Sequence, residues 1–454
     1  MNLADPVDAS LPTSENKLFA PGRRAACVGA VALISMLAFE AIAVATAMPA
    51  VAAALDGLPL YALAFGATLA TSVLGMTAAG QLCDKRGPYR ASLVGLTAFL
   101  LGLLLAGFAP SMTALVLGRA LQGLGSGVLG VTLYVGVGQV VPAPLHPKLF
   151  AMFAGAWVLP GLLGPALASG LVAWLGWRSV FLAVAAVVPV AAALMLPALR
   201  RVGAGSGDTL RWGAMRWALL ASAGALALHA ASQQRGLGSG LLFAAGLVAA
   251  FFAARHLLPA GTLAAARGLP AVILLRGFIA AAFASAESFL PLLLTQHFGW
   301  SLTQAGIALS AGAVTWSIGS AVQARVHGDA ARRRLLPTGF ALAAGGIAVV
   351  MGPVAVAALP SWLALVGWIG VGLGIGLSFP MLSVLLLKLS PPSSQGANSS
   401  ALQLSDALTS SAALALAGLL FDPVTRQVLP VLLLAFVLAA AASVVSPRAL
   451  LRPA

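Results

Sequence analysis

The chain has 454 residues, 60% of them hydrophobic and only 8% charged, with a mean hydropathy of +1.01; a soluble domain carries about 25% Asp, Glu, Lys and Arg, so a water-dissolved globule is excluded and a lipid-dissolved chain is indicated. The formal charge of +14 does not indicate nucleic acid, because the basic residues stand singly or in short clusters between apolar runs. Two cysteines, Cys27 and Cys83, are too few for a disulfide framework and read as free thiols.

The first 22 residues are polar and resemble no cleavable signal, and Arg23 and Arg24 open a long apolar run read as an uncleaved first span. Windows of ~20 apolar residues, cut at Gly, Pro and charge clusters, predict fourteen spans. They cover approximately 27–50, 60–82, 91–109, 112–140, 149–175, 179–199, 214–232, 237–254, 270–295, 303–324, 335–357, 362–387, 398–420 and 428–446. With the N-terminus inside, most basic residues fall in cytosolic segments, among them Arg23, Arg24, Lys85, Arg86, Arg90, Arg200, Arg201, Arg325, Arg334 and Lys388. The positive-inside rule then places both termini in the cytosol.

Features recur in register between a first half (1–200) and a last half (268–454), with two extra spans in the linker 201–267. The loop after the second span, Asp84-Lys85-Arg86-Gly87-Pro88-Tyr89-Arg90, has a basic counterpart after the tenth, running from Arg325-Val326-His327-Gly328 to Arg332-Arg333-Arg334. The fourth and twelfth spans are both glycine-rich, and Gly123-xxx-Gly127 and Gly370-xxx-Gly374 each clear one helix face for a neighbouring backbone. Two like halves around a midplane cavity are the plan of an alternating-access transporter. The fold class expected is all-α integral membrane: two pseudo-symmetric six-helix bundles plus two central helices.

Several strings identify a family. Gly80-Gln81-Leu82-Cys83-Asp84-Lys85-Arg86-Gly87 resembles the signature G-x-L-x-D-R-x-G, in which the acid can pair with basic groups and the last glycine permits a tight turn. Leu115-xxx-Arg119-Ala120-Leu121-Gln122-Gly123 resembles the fourth-helix signature l-x-x-x-R-x-x-q-G. Pro160-Gly161-Leu162-Leu163-Gly164-Pro165 resembles the fifth-helix signature g-x-x-x-G-P, with Pro160 at the first glycine and Ala168-Ser169 at the closing glycine pair. In the first span Glu40 stands nine residues before Pro49, as an acid does in L-D-x-T-I-V-N-V-A-L-P. The chain is similar to the 14-helix drug:proton antiporters of the major facilitator superfamily. That resemblance implies the major facilitator fold, a small-molecule substrate and protons as partners, and residence in a bacterial cytoplasmic (inner) membrane. It implies Glu40 as the proton-coupling carboxyl with Arg119 as neighbour; the other reading of Glu40 is a permanently protonated, hydrogen-bonded carboxyl.

Beyond the signatures, Glu287 and Asp406 lie within spans, where an acid is costly and marks a substrate or proton site by default, although Asp406 follows a polar helix start where it could serve hydrogen bonding alone. Trp157 and Trp316 are the aromatic residues expected to suit lipophilic organic cations. Arg276, about two turns into the ninth span, is expected to snorkel to the cytosol. None of the five His has metal-ligand spacing, and no P-loop, nucleophile elbow or carboxylate pair appears. The expectation is a monomeric proton-coupled exporter, with no enzyme activity, cofactor, metal or nucleic acid. An exporter of a dedicated metabolite or lipid-like molecule, and a non-transporting receptor or scaffold, are the alternatives.

Overall fold

The computed structural model describes residues 18–20, 22–142, 145, 149, 152–153, 155–202, 212–231, 237–326, 329–391, 395–422, 424 and 427–450. Helix α1 is Arg24–Ala54, and one helical run covers Tyr61–Gly107. That run breaks at Gly87, whose φ of 79° and ψ of 160° fall where a Cβ is not tolerated, and its two arms are α2 and α3. The rest are α4 (Met112–Val140), α5 (Val158–Leu175), α6 (Arg178–Leu199), α7 (Trp212–Ala231), α8 (Leu237–Leu257), α9 (Leu269–Leu292), α10 (Leu302–Arg325), α11 (Asp329–Ala355), α12 (Leu363–Leu389), α13 (Gln395–Leu420) and α14 (Leu429–Leu450). The fourteen helices found among the described residues agree with the fourteen predicted spans. Expectations about residues 1–17, His327 and Gly328, and about the side chains of Asp84, Arg332 and Arg333, lie outside the described residues.

Eleven helical segments among the described residues are long and apolar enough to cross a bilayer; α5, α7 and α13 are not among them. Helix α5 begins after the turn residues Ala156 and Trp157, at Val158 and not at the predicted 149. For α13 the reason is polarity, and its polar side chains turn toward protein. Ser405 Oγ donates to Ile273 O at 2.8 Å, Thr409 Oγ1 to Gly277 O at 2.9 Å, and Ser411 Oγ to Gly66 O at 3.3 Å. A hydroxyl in the hydrocarbon layer must find such an acceptor inside the protein.

The two halves repeat a single packing scheme down to the backbone atom. A Cβ added at Gly123 of α4 would meet Thr68 O and Thr71 Oγ1 of α2; one added at Gly372 of α12 would meet Gly312 O and Thr315 Oγ1 of α10. Gly125 faces Phe99 N and Gly95 O, and Gly374 faces Ala343 N and Gly339 O. Gly118 faces Ala106 N and Gly102 O, and Gly367 faces Val350 N and Gly346 O. Helices α2 and α3 therefore map onto α10 and α11 with a shift of 244 residues (68 to 312), and α4 onto α12 with one of 249 (123 to 372). This corrects the glycine pairing expected from sequence. The partners of Gly123 and Gly127 are Gly372 and Gly376, two residues beyond the Gly370-xxx-Gly374 string, because the twelfth span has a glycine at every second position and its sequence leaves the register open.

The halves are joined at the end where α2 begins. Tyr61 Oη, at the start of α2, donates to Ser288 O of α9 at 2.9 Å, and its ring lies 5.3 Å from Phe289. Phe289 in turn lies 5.2 Å from Phe421, beyond the end of α13. On the flank, Gly306 of α10 packs against Pro165 O of α5.

Two predictions follow from this packing. Gly123→Ala should destabilise the protein by about 1–3 kcal/mol through overpacking against the α2 backbone, whereas Gly130→Ala, with nothing within 4 Å, should leave the melting temperature in detergent unchanged. Tyr61→Phe removes a hydrogen bond worth about 1 kcal/mol and should raise the population in which this end of the seam is open about fivefold. External labelling of an Ala284→Cys reporter by an impermeant thiol reagent measures that shift, against a background in which Cys27 and Cys83 are buried.

Candidate functional site

The centre of the first half is organised around Arg119. Its backbone is pinned from α2 on successive residues: Thr68 Oγ1 donates to Arg119 O at 3.1 Å and Thr71 Oγ1 to Ala120 O at 2.6 Å. The flanking glycines bring these helices close enough for such bonds. Three of the five guanidinium donors have acceptors within the bundle. Nε donates to Ala64 O of α2 at 3.1 Å, and Nη1 donates to Gln122 Oε1 at 2.6 Å and to Glu40 Oε1 of α1. Glu40 and Arg119 are each 4% exposed and Gln122 is fully buried. The Glu40 carboxylate therefore points into the bundle and not toward lipid. An ion pair in such a place is held by geometry: taking each charge out of water costs several kcal/mol, and only the partner and the further hydrogen bonds offset that.

The second half carries something different at the equivalent place. The 249-residue shift that maps α4 onto α12 takes Arg119 to Trp368. Where Arg119 meets Glu40 of α1, Trp368 meets Phe283 of α9, the rings stacked at 5.5 Å and 19°. Phe283 also stands edge-on to Trp316 of α10 at 5.2 Å, and Trp316 edge-on to Phe379 of α12 at 5.4 Å. An ion pair in one half is thus replaced by an aromatic cluster in the other.

Past Phe379 lies a second ion pair. Arg276 Nε donates to Asp406 Oδ2 at 3.2 Å, and its Cζ sits 3.2 Å over the Phe379 ring. These side chains are 13% and 29% exposed, far more open than the first pair. Arg276 was expected to snorkel to the cytosol. It instead turns sideways to a carboxylate on α13, a nearer partner than water. Glu287 is partly exposed and has no hydrogen-bond or ion-pair partner among the described residues.

The remaining sequence-derived residues serve contacts. Gly161 faces Ala313 of α10, Gly164 faces Ile42 and Phe39 of α1, and Pro165 O abuts Gly306, so the fifth-helix string lies at the seam between the halves. Gly80 has nothing within 4 Å, while Lys85, Arg86 and Arg90 are exposed around the Gly87 break. Trp157 stands apart from the aromatic cluster, 49% exposed at the start of α5. Tyr61, Phe283, Trp368 and Phe379 were missed from sequence, because an aromatic residue in an apolar helix has no distinguishing pattern. Only Phe283 left a signal, four residues before Glu287 and so on the same helix face.

Arg119→Gln should destabilise the protein by about 3–5 kcal/mol, because it leaves a buried carboxylate unpaired. Adding Glu40→Gln to it should restore much of that loss, a non-additivity that melting temperatures of the two single variants and the double variant measure.

Comparison with known proteins bears on the whole chain. A probable multidrug-efflux transporter of Mycobacterium tuberculosis is 30% identical over 376 residues, 78% of this chain and 78% of that protein. Multidrug resistance protein 3 of Bacillus subtilis is 32% identical over 148 residues, 33% of this chain and 29% of that protein. Among solved structures, a peptide transporter of the POT type in complex with sulfate superposes with a TM-score of 0.67 at 16% identity, covering 96% of both chains. A D-xylose-proton symporter does so with a TM-score of 0.65 at 14% identity, covering 93% of this chain and 97% of its own. At such identities these structures establish the fold alone. The model of the Major Facilitator Superfamily matches residues 28–414, and with the repeated helical halves it establishes that this multi-pass membrane protein belongs to the Major Facilitator Superfamily.

Proposed function

We propose that the chain is a proton-coupled exporter of small lipophilic or cationic organic compounds, a multidrug efflux transporter of the drug:proton antiporter type working by alternating access. The observation that carries this reading is the buried Glu40–Arg119 pair, which ties α1, α2 and α4 together at the heart of one half. A carboxylate so placed has two self-consistent states. Ionised, it is held by Arg119. Protonated, it releases the guanidinium to Gln122 and Ala64 O and loosens α1 from α4. Charge movement and helix packing are thereby coupled, as an antiporter requires. In this proposal the form with the pair intact and the Tyr61–Phe289 contact made accepts substrate from the cytosol, and a proton from outside then exchanges for the departing substrate. The names of the relatives above support the substrate class.

The domain division belongs to the same proposal: bundles 1–200 and 268–454 rock about the cavity, and 201–267 links them. In support, α7 leans on both sides of the seam. Ser222 Oγ donates to Ala70 O of α2 at 2.7 Å, and Ala218 and Ala221 pack in one cluster with Val73, Ala253, Ala407 and Leu408. The chain works as a monomer in a bacterial cytoplasmic (inner) membrane with both termini in the cytosol, and it needs no metal or cofactor and catalyses no covalent reaction.

Glu40→Gln, nearly isosteric, should insert and fold yet lose pH-gradient-driven efflux by about 100-fold, measured with purified protein in liposomes under an imposed gradient. Efflux at the parental rate would exclude Glu40 as the coupling group.

A further inference from the structure

The second half contains an arrangement that the proton pair does not use. From Ala271 to Leu292, α9 is buried except at Arg276, Phe278, Phe283, Ala284 and Glu287. Four of these, Arg276, Phe283, Ala284 and Glu287, are spaced so that at 3.6 residues per turn they form one stripe along the helix. The stripe does not face lipid. Beside its outer end, Ser288 O accepts from Tyr61 of the opposite half at 2.9 Å, and Phe283 in its middle stands against Trp316 and Trp368. It therefore borders the space between the two halves.

Charge along the stripe is uneven. At the inner end Arg276 is neutralised by Asp406 and caps the face of Phe379. In the middle the aromatic rings carry no charge. At the outer end Glu287 is a carboxyl with no partner among the described residues, one helical turn beyond Phe283 and next in sequence to Ser288, whose carbonyl accepts from Tyr61. Ring faces attract cations, and a lone carboxylate in a water-poor place attracts them more strongly. Neither feature suits an anion.

We propose that Glu287, with Phe283 and Trp316 below it, forms the substrate subsite of the second half, and that it takes a flat aromatic organic monocation. The ring system lies along Phe283 and Trp316 and the positive charge lies at Glu287. The halves then divide the work: the first handles the proton through an ion pair, and the second handles the substrate through the aromatic cluster that replaces it. Glu287 selects for a single positive charge, because Asp406 is already matched by Arg276. This assignment rests on the export reading for its substrate class, and its test is a binding measurement that needs no transport.

Ethidium, a planar aromatic monocation, and N-phenyl-1-naphthylamine, a neutral aromatic, are titrated against the purified full chain by fluorescence. Glu287→Gln is expected to weaken ethidium by about tenfold or more with the neutral probe little changed, and Glu287→Asp to keep most of the ethidium affinity. Phe283→Leu is expected to weaken both probes. Retained binding of the neutral probe shows that a variant has folded. Unaltered ethidium affinity in Glu287→Gln, equal weakening of both probes, or a parent chain that binds neither would overturn the assignment. A parent that binds with this selectivity yet drives no pH-dependent efflux from liposomes would sink the export reading and leave the subsite standing.

Discussion

A charged or hydrogen-bonding side chain in the hydrocarbon layer has no water to turn to, and the arrangement of this protein follows from that constraint. Arg119 finds Glu40, Gln122 and a backbone carbonyl. Arg276 finds Asp406. The hydroxyls of α13 find carbonyls of α9 and α2. All of these partners except Gln122, which shares α4 with Arg119, come from another helix, so meeting the constraint also determines which helices adjoin. A helix as polar as α13 is tolerated because its neighbours supply the acceptors that lipid cannot.

Close approach of the helices is what brings such partners within reach, and it depends on glycine. With no Cβ at Gly118, Gly123, Gly125 and Gly127, α4 settles on α2 and α3 with backbones nearly touching, and the same contacts recur at Gly367, Gly372, Gly374 and Gly376. The repeat is a property of the backbone. The side chains laid over it depart from the repeat where chemistry is needed: Arg119 on Glu40 in one half, Trp368 on Phe283 in the other. Common packing with unlike side chains lets one scaffold hold an ion pair in one half and an aromatic cluster in the other.

The seam between the halves combines weak and strong contacts in a way that suits rocking. At the end where α2 begins, one hydroxyl-to-carbonyl bond from Tyr61 and a few aromatic contacts close it. On the flank, the small residues of α5 let α10 lie close with little interdigitation. Interfaces of this kind can open at small cost. The extra pair α7 and α8 lies across the α2–α13 side of the same seam, with a polar bond toward α2 and apolar contacts toward α13.

How much of this was legible beforehand depends on the range of the interaction concerned. Number of spans, all-helical class and the break at Gly87 follow from local apolarity and from the backbone freedom of one glycine, so residues read one window at a time were sufficient. Glu40, Arg119 and the loop string were found because charge inside an apolar run stands out. Pairings were a different matter. Nothing local assigns Arg276 to Asp406, 130 positions away, or sets the register between two glycine-rich helices, or separates Phe283 and Trp368 from the other aromatic residues of an apolar chain. By itself the sequence determined where the chain crosses lipid and which charges are trapped there, because hydrophobicity and charge are properties of single residues. Only the tertiary structure decided which trapped groups meet, because a helix hides its neighbours' identity until the glycine-cleared faces bring two backbones together.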